Sequence, residues 1–109
     1  MNDRDRNLIL EFKKRLPSDL ANRMKRFIIF GSRVKGEASE DSDLDVIALV
    51  DEKSPELEKR LEDIAYQIMW DHDFKPIISL KVLSETQFYI SLNRGFSFYR
   101  HVEKEGVSV

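Results

Sequence analysis

Two apolar runs, separated by a glycine-serine turn and the second led in by a pair of aspartates, constrain this chain more than any other feature. Phe27, Ile28, Ile29 and Phe30 drive straight into Gly31-Ser32, and a second glycine follows at Gly36. Ser42-Asp43-Leu44-Asp45-Val46 then opens the next apolar stretch. A short apolar run ending in a turn signal describes a buried strand, so Phe27 to Phe30 and Leu44 to Val50 are both expected to be strands. Residues i and i+2 of a strand share a face. Asp43 and Asp45 therefore project together, close enough to share a divalent cation, while Leu44 and Val46 turn to a core. A glycine-containing turn that feeds a helix N-terminus offers its backbone N–H groups to an anion. A phosphate cradle beside a cation site is what a nucleoside triphosphate requires.

With 109 residues, 41% apolar and 35% charged, the chain has room for one modest core, and a single domain over 1–109 is expected. A formal net charge of −2 supplies no general drive toward nucleic acid or membrane. The lack of cysteine excludes disulfides, zinc-thiolate sites and cysteine nucleophiles. No apolar stretch is long enough to span a bilayer and the N-terminus carries no signal-peptide pattern, so a cytoplasmic protein is expected.

Leu8, Ile9, Phe12 and Leu16 recur at helical spacing opposite Lys13, Lys14 and Arg15, which predicts a helix from Asp5 to Leu16 ended by Pro17. Ser18 can cap a second short helix through Met24. Ser32 to Gly36 reads as a turn entering about one helical turn, and Glu37 to Ser42 as a polar loop. Ser54-Pro55 is a helix start, and Leu57, Leu61, Ile64, Ala65, Ile68 and Met69 follow it as one apolar stripe. A third strand is expected over Pro76 to Leu83, a helix over Glu85 to Leu92 capped by Ser84, and a last helix from Phe96 to Lys104 closed by Gly106. This order gives an α/β (α+β) fold, a small mixed sheet of about three strands packed by helices. Its sheet edges are open to a partner or to a second copy in a homo-oligomer.

The pattern Gly31-Ser32-x-x-x-Gly36, then Ser42-Asp43-x-Asp45 before an apolar strand, resembles the signature of the polymerase-beta-type nucleotidyltransferase superfamily. The short length resembles its minimal members, often encoded beside HEPN-domain toxins. It is not a Walker A loop, because Glu37 follows Gly36 where that motif has lysine. The resemblance implies a palm-like core, ATP as substrate with Mg²⁺, and transfer of AMP to a hydroxyl. The implied acceptor is a HEPN-type toxin, which makes this chain the antitoxin. On this chain it gives Asp43 and Asp45 the catalytic and metal-holding roles, and Ser32 a contact to the triphosphate. Gly31 would let the backbone approach the phosphates, and Gly36 would allow close packing of the turn. Arg33 is either a phosphate ligand or, with Lys35, a solvated side chain. Ser42 is a turn residue or a minor nucleotide contact.

One departure stands out. Catalytically complete members carry a third carboxylate on the strand after the long helix, and laying that strand over Ile77 to Ser84 puts Ser79 at the position. A serine hydroxyl cannot replace a carboxylate as base or metal ligand. A shifted register or bent strand would bring in Asp73; Asp71 lies farther upstream and Glu85 at the wrong end. Lys81 shares the face of Ser79 and would instead present a positive charge to phosphate. The competing reading is a nucleotidyltransferase-fold binding module that neutralises a partner by occlusion alone. His72 reads as a surface residue helping to cap a helix. Lys13-Lys14-Arg15 and Arg23, Lys25 and Arg26 read as solvated helix faces, so nucleic acid is not the expected partner.

Overall fold

The structure, a computed structural model, describes residues 1–36 and 42–109; the expected loop positions 37–41 lie outside the described residues. Helix α1 (Asp3–Arg15) starts where the Asn2 side chain accepts a hydrogen bond from the Asp5 N–H at 2.8 Å. Acidic residues fill its first turn and basic ones its last, the order that a helix dipole favours. Helix α2 (Ser18–Ala21) is a single turn, shorter than its expected extent to Met24. Strand β1 (Met24–Phe30) accordingly begins three residues early and takes Lys25 and Arg26 into the sheet, away from the helix face assigned to them. Then come β2 (Leu44–Val50), α3 (Pro55–Asp71), β3 (Ile78–Ser84), α4 (Glu85–Asn93), α5 (Ser97–Glu105) and a two-residue β4 (Val107–Ser108). The caps predicted for α3 and α4 form: Ser54 Oγ accepts from Leu57 N–H and Ser84 Oγ from Gln87 N–H, each at 3.1 Å.

Among the described residues the sheet has four strands rather than three, in the order β3-β2-β1-β4. Strand β2 runs antiparallel to β1 and parallel to β3, and β4 adds antiparallel to the far side of β1 through Ile28↔Ser108 and Ile29↔Val107. Two residues carry no periodicity, which is why β4 is invisible to a pattern reading. Strand β3 starts at Ile78 because Pro76 has no N–H to give a ladder.

Alternation along β2 assigns the two faces. Leu44, Val46, Ala48 and Val50 pack with Phe27, Ile29 and the apolar stripes of α1 and α3, which is the larger core. Ile47 and Leu49 face the other way and pack with Ile28, Phe88 of α4 and Val102 of α5. Asp45 shares this second, smaller-core face, and the exposed Ser79 and Lys81 lie on it too. Phe12 is fully buried with its ring 5.1 Å from that of Phe27, so it fastens α1 to β1. Phe12→Ala is expected to cost about 3–5 kcal/mol, seen in denaturant titration as a lower midpoint with an unchanged slope.

Candidate functional site

The site begins where β1 ends. Phe30 pairs with Asp45 across the ladder, so the turn after Phe30 starts against that carboxylate. Gly31 has φ +84°, and a Cβ built on it would lie 2.6 Å from Asp45 Oδ2. Glycine is therefore needed twice over, for a left-handed backbone and for the room that the carboxylate occupies. The chain then passes through hydrogen-bonded turns, with Val34 N–H donating to the Gly31 carbonyl at 3.2 Å, in place of the expected helical turn. Ser32 is exposed on this turn. Gly36 has φ +73°, and a Cβ there would meet nothing within 4 Å among the described residues. Backbone conformation, not the close packing expected, calls for glycine at that position.

Asp45 sits in the central strand between Phe30 and Ser79 and is half-buried, whereas Asp43 precedes the strand and is exposed. Burial, and after it the negative charge of Asp43, holds the Asp45 carboxyl above the usual carboxylate range. A cation between the two carboxylates would relieve that cost, and oxygen-only donors beside a glycine turn suit Mg²⁺. Among the described residues, no group of three or more His, Asp or Glu side chains gathers as a metal cage. The pair fits a cation that draws its remaining ligands from phosphate and water.

The register is unshifted along the whole of β3, from Leu44↔Ile78 to Val50↔Ser84, and it places Ser79 directly beside Asp45. Asp73 stays in the turn before the strand with φ +56°, so the bent-strand route is not taken. Asp71 is bound to Arg15 of α1 at 2.7 Å, and Glu85 opens α4. Lys81 lies on the Asp45 face with its Nζ 4.7 Å from the centre of the Phe98 ring, and Phe98 packs edge-on against Phe30 at 5.8 Å. His72 does occupy the C-cap of α3, with its ring Nε2 3.0 Å from Glu11 Oε2.

Pattern reasoning missed one network altogether. Arg33 forms a two-pronged ion pair with Asp5 of α1, Nε to Oδ2 at 2.9 Å and Nη2 to Oδ1 at 3.0 Å, and its Nη1 donates to the Ser42 carbonyl at 2.9 Å. The readings of Arg33 as phosphate ligand or solvated side chain both miss this. Other basic residues assigned to solvated faces also hold elements together: Arg23 pairs with Asp51, and Arg26 reaches Glu103, Tyr89 and Ser108.

An open mixed sheet packed by helices, with a Gly-Ser turn lying against an Asp-x-Asp strand, defines a nucleotidyltransferase-type fold. Residues 6–106 match the nucleotidyltransferase domain family, and the chain belongs to that family. Two relatives from Methanocaldococcus jannaschii each carry the name "Putative protein adenylyltransferase". One is 35% identical over 105 residues, covering 94% of this chain and 95% of the relative. The other is 31% identical over 98 residues, covering 90% of each. A chain from a crystal structure of a toxin-antitoxin with AMP-PNP aligns at a TM-score of 0.54, covering 94% of this chain and 69% of that one. Its identity is 16%, so the likeness is one of fold.

Gly31→Ala is expected to cost at least about 1–2 kcal/mol from the left-handed backbone alone, and more once Asp45 is displaced; thermal unfolding would read it. Asp45→Asn should act in the opposite direction. The folded-state pKa of Asp45 lies above the ordinary value, so its ionisation works against the fold at neutral pH. In metal-free buffer the variant is expected to melt higher than wild type near pH 7. That gain should fade as pH falls through the Asp45 pKa and vanish once the carboxyl is protonated in both folded and unfolded chains.

Proposed function

We propose that this chain is a Mg²⁺-dependent, cytoplasmic, single-domain nucleotidyltransferase that moves AMP from ATP to a hydroxyl on a protein partner. By resemblance the partner is a HEPN-type toxin and the chain its antitoxin. The observation that carries the reading is the contact between Gly31 and Asp45: the carboxylate fills the space of the missing Cβ, so turn and acid form one unit. The names of the two archaeal relatives support a protein acceptor.

In this reading Gly31 and Ser32 present turn backbone and hydroxyl to the triphosphate, Gly36 completes the turn, and Ser42 leads the chain into the acidic pair. Asp43 and Asp45 hold the cation, which when bound neutralises charge on the triphosphate oxygens. The acceptor hydroxyl oxygen attacks the α-phosphorus, the P–O bond to pyrophosphate breaks, and the hydroxyl proton leaves to water or base. The exposed Ser79 leaves the β3 side of Asp45 to the acceptor, with the Lys81 ammonium two residues further along the strand.

A second reading is favoured by one observation, the register that puts Ser79 and no carboxylate beside Asp45. It is the binding module, which would restrain its partner without modifying it. The two readings separate in the intact mass of the partner after incubation with the protein, ATP and Mg²⁺. Mass gains in steps of one AMP, abolished by Asp43→Asn with Asp45→Asn, are expected. An unmodified partner that still forms a stable complex would establish the module instead.

A further inference from the structure

We infer that Arg33 and Asp5 form a positioning pair that sets the Asp43-Asp45 segment against the Gly31-Ser32 turn. The inference deepens the nucleotidyltransferase reading and rests on it for the roles of the two aspartates. The Asp5 side chain is 1% exposed and that of Arg33 8%, so the pair is buried, unlike the exposed ion pairs elsewhere on the molecule. Its two parallel contacts fix the guanidinium plane. The third nitrogen then reaches the Ser42 carbonyl. One rigid group thereby joins three segments: the first turn of α1, the glycine turn, and the residue just ahead of Asp43.

Asp43 depends on that join in a way Asp45 does not. The ladder fixes Asp45 from both sides, through Phe30 and Ser79. Asp43 lies outside the ladder, bracketed by the Arg33 bond to the Ser42 carbonyl and by Leu44 N–H donating to the Ile77 carbonyl at 2.8 Å. Arg33 thus acts on the site through the backbone at Ser42, with its charge balanced by a buried carboxylate. Lysine could not do the same, because one ammonium cannot grip both carboxylate oxygens in a plane and reach a carbonyl from a separate donor.

The test compares Arg33→Lys and Asp5→Asn with wild type by amide hydrogen exchange, and by ATP affinity with and without Mg²⁺. Arg33→Lys keeps a positive charge and loses the fork; Asp5→Asn keeps shape and removes the charge that orients the guanidinium. The expected result is exchange at least about tenfold faster at Leu44, whose N–H donates to the Ile77 carbonyl, with the β1–β2 ladder unchanged. The Mg²⁺-dependent gain in ATP affinity should fall about tenfold for Arg33→Lys and less for Asp5→Asn, while affinity without metal stays within about twofold; these are folds of about 1.4 kcal/mol and less. Unchanged exchange in the folded variants would overturn the pair as a holding device. Equal loss of affinity with and without Mg²⁺ would also overturn it, making Arg33 a phosphate ligand. Should Arg33→Lys fail to fold, Asp5→Asn decides by the same criteria. Faster exchange in a protein whose wild type gains nothing from Mg²⁺ would uphold the clamp and sink the nucleotide reading alone.

Discussion

The pairing of β2 along both of its edges is the constraint on which the remainder depends. With antiparallel β1 on one side and parallel β3 on the other, a slip of one residue would exchange its two packed faces and drive Asp45 into the larger core. Every residue of the strand is buried except Asp45, which is only half so. One carboxylate is therefore set in place by apolar packing above and below it rather than by polar partners. That placement raises its proton affinity, and it also dictates what Gly31 must be, since the turn has no room for a side chain next to the acid.

The rest of the site follows from what lies on the same face. Ser79 is beside Asp45, and Lys81 follows on the same strand, held over Phe98, which in turn leans on Phe30. The Lys81 ammonium rests on the aromatic ring of Phe98, an arrangement whose attraction is modest at an exposed site. Among the described residues, this part of the molecule brings together the Asp43 and Asp45 carboxylates, the Lys81 ammonium and the Ser79 hydroxyl.

Much of this was legible in the sequence, for reasons that differ by element. Helix α3 announces itself by a serine cap, a first-turn proline and a stripe of apolar residues at one period, because its burial is one-sided over 17 residues. The turn at Gly31-Ser32 and the strand after Asp43 were legible because a glycine that ends an apolar run marks a strand end, and an apolar run after a polar pair marks the next strand. Strand β4 was not, since two residues hold no period, and the boundary of α2 was misplaced because Met24-Lys25-Arg26 suits either a helix face or an edge-side strand. The Asp5–Arg33 pair escaped for a deeper reason. Periodicity shows which side chains avoid water and says nothing of which of many charges meet, and these two are 28 residues apart.

The chain's one tryptophan lies on the side of the sheet opposite Asp45. Trp70 is 62% exposed on α3, with its ring among those of Tyr66 and Phe74. Helix α3 covers the sheet face opposite Asp45, as its contacts with Leu44, Val46 and Ala48 define. Intrinsic fluorescence of this protein is consequently a lamp mounted on the outer wall. It reports solvent at the aromatic patch, across the sheet from Asp45. With Trp70 already in water in the folded chain, unfolding shifts that emission little, and a blue shift reports the patch being covered.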